Sequence, residues 1–170
     1  MSIKQRLVAV GASAVLATAG AFIGTHEGEV RSVYGDVGGV STYCFGGTHR
    51  ITKSEYTAAE CTEQLLIDVD HALQGVRGIV GREMPGSVEV AMTSTAYNAG
   101  VHGFKSSPML PHLKQGRWEA ACAAIVAPWK TSKGVARGWR ATVNLVPHRG
   151  LENRRQAEYK VCTQDLRAAQ

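Results

Sequence analysis

Residues 7–24 (LVAVGASAVLATAGAFIG) run for eighteen positions without a charge, behind Lys4 and Arg6 and ahead of Glu27 and Glu29. As a helix this run would span about 27 Å at 1.5 Å per residue, just short of a hydrocarbon core of about 30 Å. Its composition limits it further. Six Ala, three Gly, one Ser and one Thr leave seven strongly apolar residues, from Leu7 to Ile23, so the helix gains little from lipid. Basic residues before the run and acidic ones after it keep the amino terminus inside and send residues 25–170 across the membrane. Three readings stay open: an uncleaved weak anchor, a signal peptide cut at a small-x-small site such as Ala17-Thr18-Ala19, and a buried helix of a soluble fold, which the basic flank suits least.

Beyond residues 1–24, the rest of the 170-residue chain has room for one ordinary domain, 25–170. Its 44% hydrophobic and 19% charged residues exclude a disordered chain. A net charge of +5 favours a polyanionic partner. No Lys/Arg-rich run and no aromatic stacking motif is present, so nucleic acid is not the expected partner. Cys44, Cys61, Cys122 and Cys162 all follow the uncharged run, an even count on the oxidising side of a membrane. Two disulfides are expected, with Cys44–Cys61 and Cys122–Cys162 favoured because each pair stays within one subregion. There is no CxxC, and the six histidines lack ligand spacing; His26-Glu27 has no second His to complete HExxH. Neither a metal nor another cofactor is expected.

Val30 to Thr48 is rich in Val, Tyr and Thr and broken by Gly35-Asp36, Gly38-Gly39 and Gly46-Gly47, the pattern of short strands joined by tight turns. Thr57-Ala58-Ala59-Glu60 is a capping box, and Cys61, Leu65, Val69, Ala72, Leu73 and Val76 then recur at helical spacing up to Gly78. Pro85-Gly86-Ser87 opens a second helix that ends near Asn98 and Gly100. Ser107-Pro108 starts a short one, with Ser107 as cap and Pro108 in the first turn, that stops at Gly116, and Trp118 to Ile125 marks another. Residues 128–150 read as irregular, and Leu151 to Leu166 as a final helix. The fold class is α+β: a small β-hairpin region followed by a mostly helical lobe.

Glu27 and Asp36 are nine apart, at the end of the uncharged run and in a hairpin arm. Facing each other over a cleft, two such carboxyls would suit glycoside hydrolysis, in which one protonates the leaving oxygen and the other acts near the anomeric centre. Thr42 could hold a water beside them. Glu29 is the nearest competing acid. The spacing Glu27-x8-Asp36-x5-Thr42 resembles the E-x8-D-x5-T pattern of phage-type lysozymes, glycoside hydrolase family 24. Ala96-Tyr97-Asn98-Ala99-Gly100 is similar to that family's YN-x-G helix end. Gly150-Leu151-Glu152-Asn153-Arg154-Arg155-Gln156-Ala157-Glu158 is similar to its GL-x-x-RR-x-x-E segment.

The resemblance implies a lysozyme-like fold and hydrolysis of the β-1,4 bond between N-acetylmuramic acid and N-acetylglucosamine in peptidoglycan. Glu27 would be the general acid, and Asp36 with Thr42 would hold the water, with inversion as the outcome. Tyr97 and Asn98 either close their helix or contact the sugar, and Arg154 and Arg155 read as salt-bridging or solvated, with Arg154 also a candidate substrate contact. Residues 7–24 resemble the leader of the signal-anchor-release endolysins, which implies a periplasmic monomer first tethered to the inner membrane of the host. While that run sits in lipid, Glu27 is pinned at the bilayer surface, so release would be activation, driven by loss of the membrane potential. Some such enzymes carry a cysteine within the anchor and this run has none, which leaves Cys44 a structural role. Two other readings are weighed. A Cys44/His49 thiolate pair would make a peptidoglycan amidase or endopeptidase, and a tethered wall-binding protein would have no catalysis.

Overall fold

The computed structural model describes residue 5 and residues 13–35, 39–48 and 51–168, which divide into two compact units at residues 71 and 72. In the first unit, Ser13 caps α1 (Ala14–Glu27) by accepting the Leu16 N–H at 3.3 Å. Ala17, Ala19, Gly20, Ile23 and Gly24 form its buried stripe. The helix thus starts inside the uncharged run and continues through residue 24 to Glu27, where Gly28 at φ +74° turns the chain away. None of the helices among the described residues is long and apolar enough to cross a membrane.

β1 (Val30–Gly35) pairs antiparallel with β2 (Ser41–Cys44), with Tyr34 opposite Thr42 and Gly35 opposite Ser41. The other edge of β1 is covered by residues 54–56: Val33 N–H donates to the Ser54 carbonyl and Tyr56 N–H to that of Arg31. The expected capping box opens α2 (Ala58–Val80). The Thr57 N–H donates to Glu60 at 2.8 Å, and the Glu60 N–H donates to the Thr57 hydroxyl at 3.2 Å. The Cys44–Cys61 disulfide ties the end of β2 to the first turn of α2, and the Tyr43 hydroxyl donates to Gln64 one turn on. The helix runs past Gly78 to Val80 and stops at Gly81, φ +71°.

In the second unit α3 (Gly86–Ala99) is buried from Ser87 to Ala96, as a central helix must be. Around it lie α4 (Val101–Phe104), α5 (Leu110–Lys114), α6 (Trp118–Ile125), α7 (Arg149–Cys162) and α8 (Gln164–Ala168). Val88, Met92, Phe104, Met109, Leu113, Ile125 and Trp139 fill the core between them. The Cys122–Cys162 disulfide joins α6 to the end of α7, so both favoured pairings are present.

Three expectations need correction. Residues 128–150 are not irregular: β3 (Pro128–Thr131) pairs with β4 (Gly134–Arg137), and β5 (Thr142–Val143) with β6 (Val146–Pro147). Strands of two to four residues are too short to show alternation; Gly134 opens β4 where it packs on Pro147, and Pro128 and Pro147 stand at strand ends. Ser107 does not cap a helix with its side chain; its carbonyl accepts the Leu110 N–H, and α5 starts three residues later than Ser107 with Pro111 in its first turn. The final helix breaks at Thr163, between α7 and α8.

Candidate active site

Glu27 is the last residue of α1, half-buried, and Gly28 at its carboxyl side reverses the chain into β1. Its carboxylate looks onto the turn that follows β2. A Cβ placed on Gly46 would stand 3.7 Å from Glu27 Oε2, and Gly46 at φ +87° is in a conformation that L residues rarely adopt. Cys44, at φ 54°, starts that turn and is fixed by its disulfide. The glycine therefore keeps open the space beside the carboxylate. The disulfide and Tyr43 hold the turn in place.

Thr42 is buried on β2 of the same unit. Its hydroxyl donates to the Val40 carbonyl at 3.0 Å, so the oxygen's remaining capacity is to accept, as from a water. Asp36 lies outside the described residues, as do His49 and residues 6–12. The chain neighbour of Asp36, Gly35, is paired with Ser41 beside Thr42. Glu29, the competing acid, accepts from Arg31 Nε at 2.9 Å in a surface ion pair. Cys44 is half of a disulfide, which removes the thiolate nucleophile of the amidase reading.

The other residues singled out lie in the second unit. Tyr97 and Asn98 are half-buried in the last turn of α3. Asn98 also lines a pocket of about 430 Å³ with Ala99, Trp129, Arg140, Thr142, Leu145 and Leu151. Arg154 is buried, its Nε donating to Glu158 at 3.3 Å. Sequence reasoning missed the network it belongs to. Arg155 is fully buried and donates to Glu158, to Asn98 Oδ1 and, at 2.8 Å, to the Trp139 carbonyl. Ser94 Oγ donates to Glu158 at 2.7 Å. The spacing of Arg154, Arg155 and Glu158, three and four apart on a helix, was the available signal. Glu152 of the same segment accepts the Arg137 backbone N–H at 2.8 Å. That bond and the Arg137 guanidinium hold its carboxyl below the usual range against the opposing effect of burial.

Residues 24–158 match the family model for phage lysozyme. The chain is similar to the SAR-endolysin of bacteriophage PS119, with 30% identity over 80% of this chain and 75% of that one. It is also similar to the SAR-endolysin of Pseudomonas phage phiKMV, with 29% identity over 88% of each. Its fold resembles that of the active form of the P1 phage endolysin, with a TM-score of 0.79 and 22% identity, covering 97% of this chain and 93% of that one.

Proposed function

The chain belongs to the phage lysozyme family, and on that footing we propose that Glu27 is the general acid of a muramidase whose water is held by Asp36 and Thr42. The protein is a phage endolysin, a glycoside hydrolase that breaks down peptidoglycan and so lyses the host. The bond it cleaves is the β-1,4 link between N-acetylmuramic acid and N-acetylglucosamine. Glu27 gives its proton to the leaving oxygen, and Asp36 takes one from the water that attacks the opposite face. Inversion requires about 6.5–9.5 Å between the two carboxyls to leave room for that water. Thr42, its own proton committed to Val40, accepts from the water and orients it. Tyr97 and Asn98 contact the substrate, whereas the burial of Arg154 favours a supporting part through Glu158.

The observation that carries this reading is the placement of Glu27 at a helix end, with its Oε2 3.7 Å from where a Cβ on Gly46 would stand. The protein is exported and works as a monomer in the periplasm, tethered at first through residues 7–24. The support for release as activation is that α1 is one helix from Ala14 to Glu27. Ile23 and Ala19 are fully buried in the folded protein and cannot also lie in lipid.

Mass spectrometry of purified peptidoglycan digested by the protein and by Glu27→Gln tests the assignment. New reducing N-acetylmuramic ends that vanish in a variant of unchanged circular dichroism are expected. Anhydro-muramic ends would mean a transglycosylase, and undiminished activity of the variant would remove Glu27 from the chemistry.

A further inference from the structure

Residues 120–151 contain five Lys or Arg and no Asp or Glu, so this stretch alone accounts for the chain's net charge of +5. It is also the stretch that folds into the two hairpins β3–β4 and β5–β6. Lys130, Lys133, Arg137, Arg140 and Arg149 are all exposed. Among them Val135, Val143, Leu145 and Val146 are 55%, 45%, 51% and 48% exposed. These are four of the eight large hydrophobic residues found exposed among the described residues. Scattered apolar residues need no explanation, but a cluster set among exposed cations does; Glu152, which pairs with Arg137 there, is only 11% exposed.

The hairpin tips are built to hold this arrangement. Lys130 stands opposite Val135, and Val143 opposite Val146. Thr131 Oγ1 donates to the Leu145 carbonyl at 2.6 Å, joining one tip to the other. A Cβ on Gly134 would meet Pro147 at 3.1 Å, so the two hairpins touch there as well. The β5–β6 turn places Asn144 at φ 49° and Leu145 at φ 69°. Such a turn favours Asn followed by Gly. A leucine in the second position is strained, and here it spends that strain on presenting an aliphatic side chain to solvent.

We propose that the tips of β3–β4 and β5–β6 form a docking surface for an anionic lipid bilayer. Aliphatic side chains enter the interfacial layer while the surrounding lysines and arginines reach the phosphates, their stems lying along the apolar surface. Peptidoglycan offers carboxylates to the cations but only scattered methyl groups to four aliphatic side chains, which is why lipid is the better match.

The test uses the full chain carrying Val146→Trp and vesicles with brominated acyl chains, which quench only an indole that enters the bilayer. The added fluorescence is expected to be quenched in phosphatidylglycerol-containing vesicles and not in phosphatidylcholine alone. Adding Lys130→Glu and Lys133→Glu should lower the partition coefficient about tenfold or more, while hydrolysis of purified peptidoglycan stays unchanged. Vesicle-bound protein whose added indole remains unquenched would overturn the proposal, because lipid would then be held by other residues. So would a charge-reversed protein that keeps its vesicle partition and loses binding to purified peptidoglycan, since the surface would then face the wall.

Discussion

Replacing Glu158 by Leu removes a carboxylate that pairs with two guanidinium groups in the interior of the second unit. The side chains of Arg154 and Arg155 are 6% and 0% exposed, and that of Glu158 is 0% exposed. Arg155 would keep two neutral acceptors, Asn98 Oδ1 and the Trp139 carbonyl, but no counter-charge from Glu158; Ser94 Oγ would lose its acceptor. Stranding a buried charge costs about 3–5 kcal/mol, against a total stability of about 5–15 kcal/mol for a domain. With a urea slope of roughly 1–3 kcal/mol/M, the unfolding midpoint should fall by about 2 M, with both disulfides kept oxidised. Arg155→Met combined with Glu158→Leu removes one charge of each sign, so the pair should cost clearly less than the sum of the two single changes. If Glu158→Leu stays within about 1 kcal/mol of the parent, or the double change is additive, the network is not a desolvated ion cluster and the reasoning fails.

Loop lengths set the next expectation. Opening Cys122–Cys162, separated by 40 residues, with a pair of serines should cost about 4 kcal/mol, and opening Cys44–Cys61, separated by 17, about 3 kcal/mol, by equilibrium unfolding. The second change should also depress peptidoglycan cleavage more than its stability loss explains, because it frees the turn facing Glu27. The Lys53 ammonium, then the Thr57 N–H and hydroxyl, push the Glu60 carboxyl from 4.5 down to about 2. A depressed folded-state value means stability that is complete above pH 4.5 and lost as the pH falls through about 2. Thermal unfolding of the parent and Glu60→Gln should therefore converge between pH 4.5 and 2, and parallel curves would show that Glu60 is not the titrating group.

What the sequence made readable was mostly local. The Thr57/Glu60 capping box needs residues three apart, and its consequence, a long helix ending just past Gly78, follows from period and cap alone. The disulfide pairing was readable because each pair closes within one region of the chain. The role of Arg154 was not, because its environment comes from far away: Ser94, on another helix, completes the site of Glu158. A basic pair on a helix reads as surface until a buried acid and a distant hydroxyl are known to receive it. The short hairpins of 128–150 escaped for the converse reason, since two-residue strands carry too little pattern to show a period.

The uncharged run illustrates how one composition can satisfy two environments. Its alanines and glycines make lipid insertion weak, because each small side chain removes little apolar area from water. In the folded protein the same small residues line the buried stripe of α1: Ala17, Ala19, Gly20 and Gly24, with Ile23. A run of leucines and isoleucines of equal length would gain more from the bilayer and would overfill that stripe. Under the proposed anchoring, the balance between membrane and fold is thus set by side-chain size. The residue that reports the outcome is Glu27, because it ends the same helix.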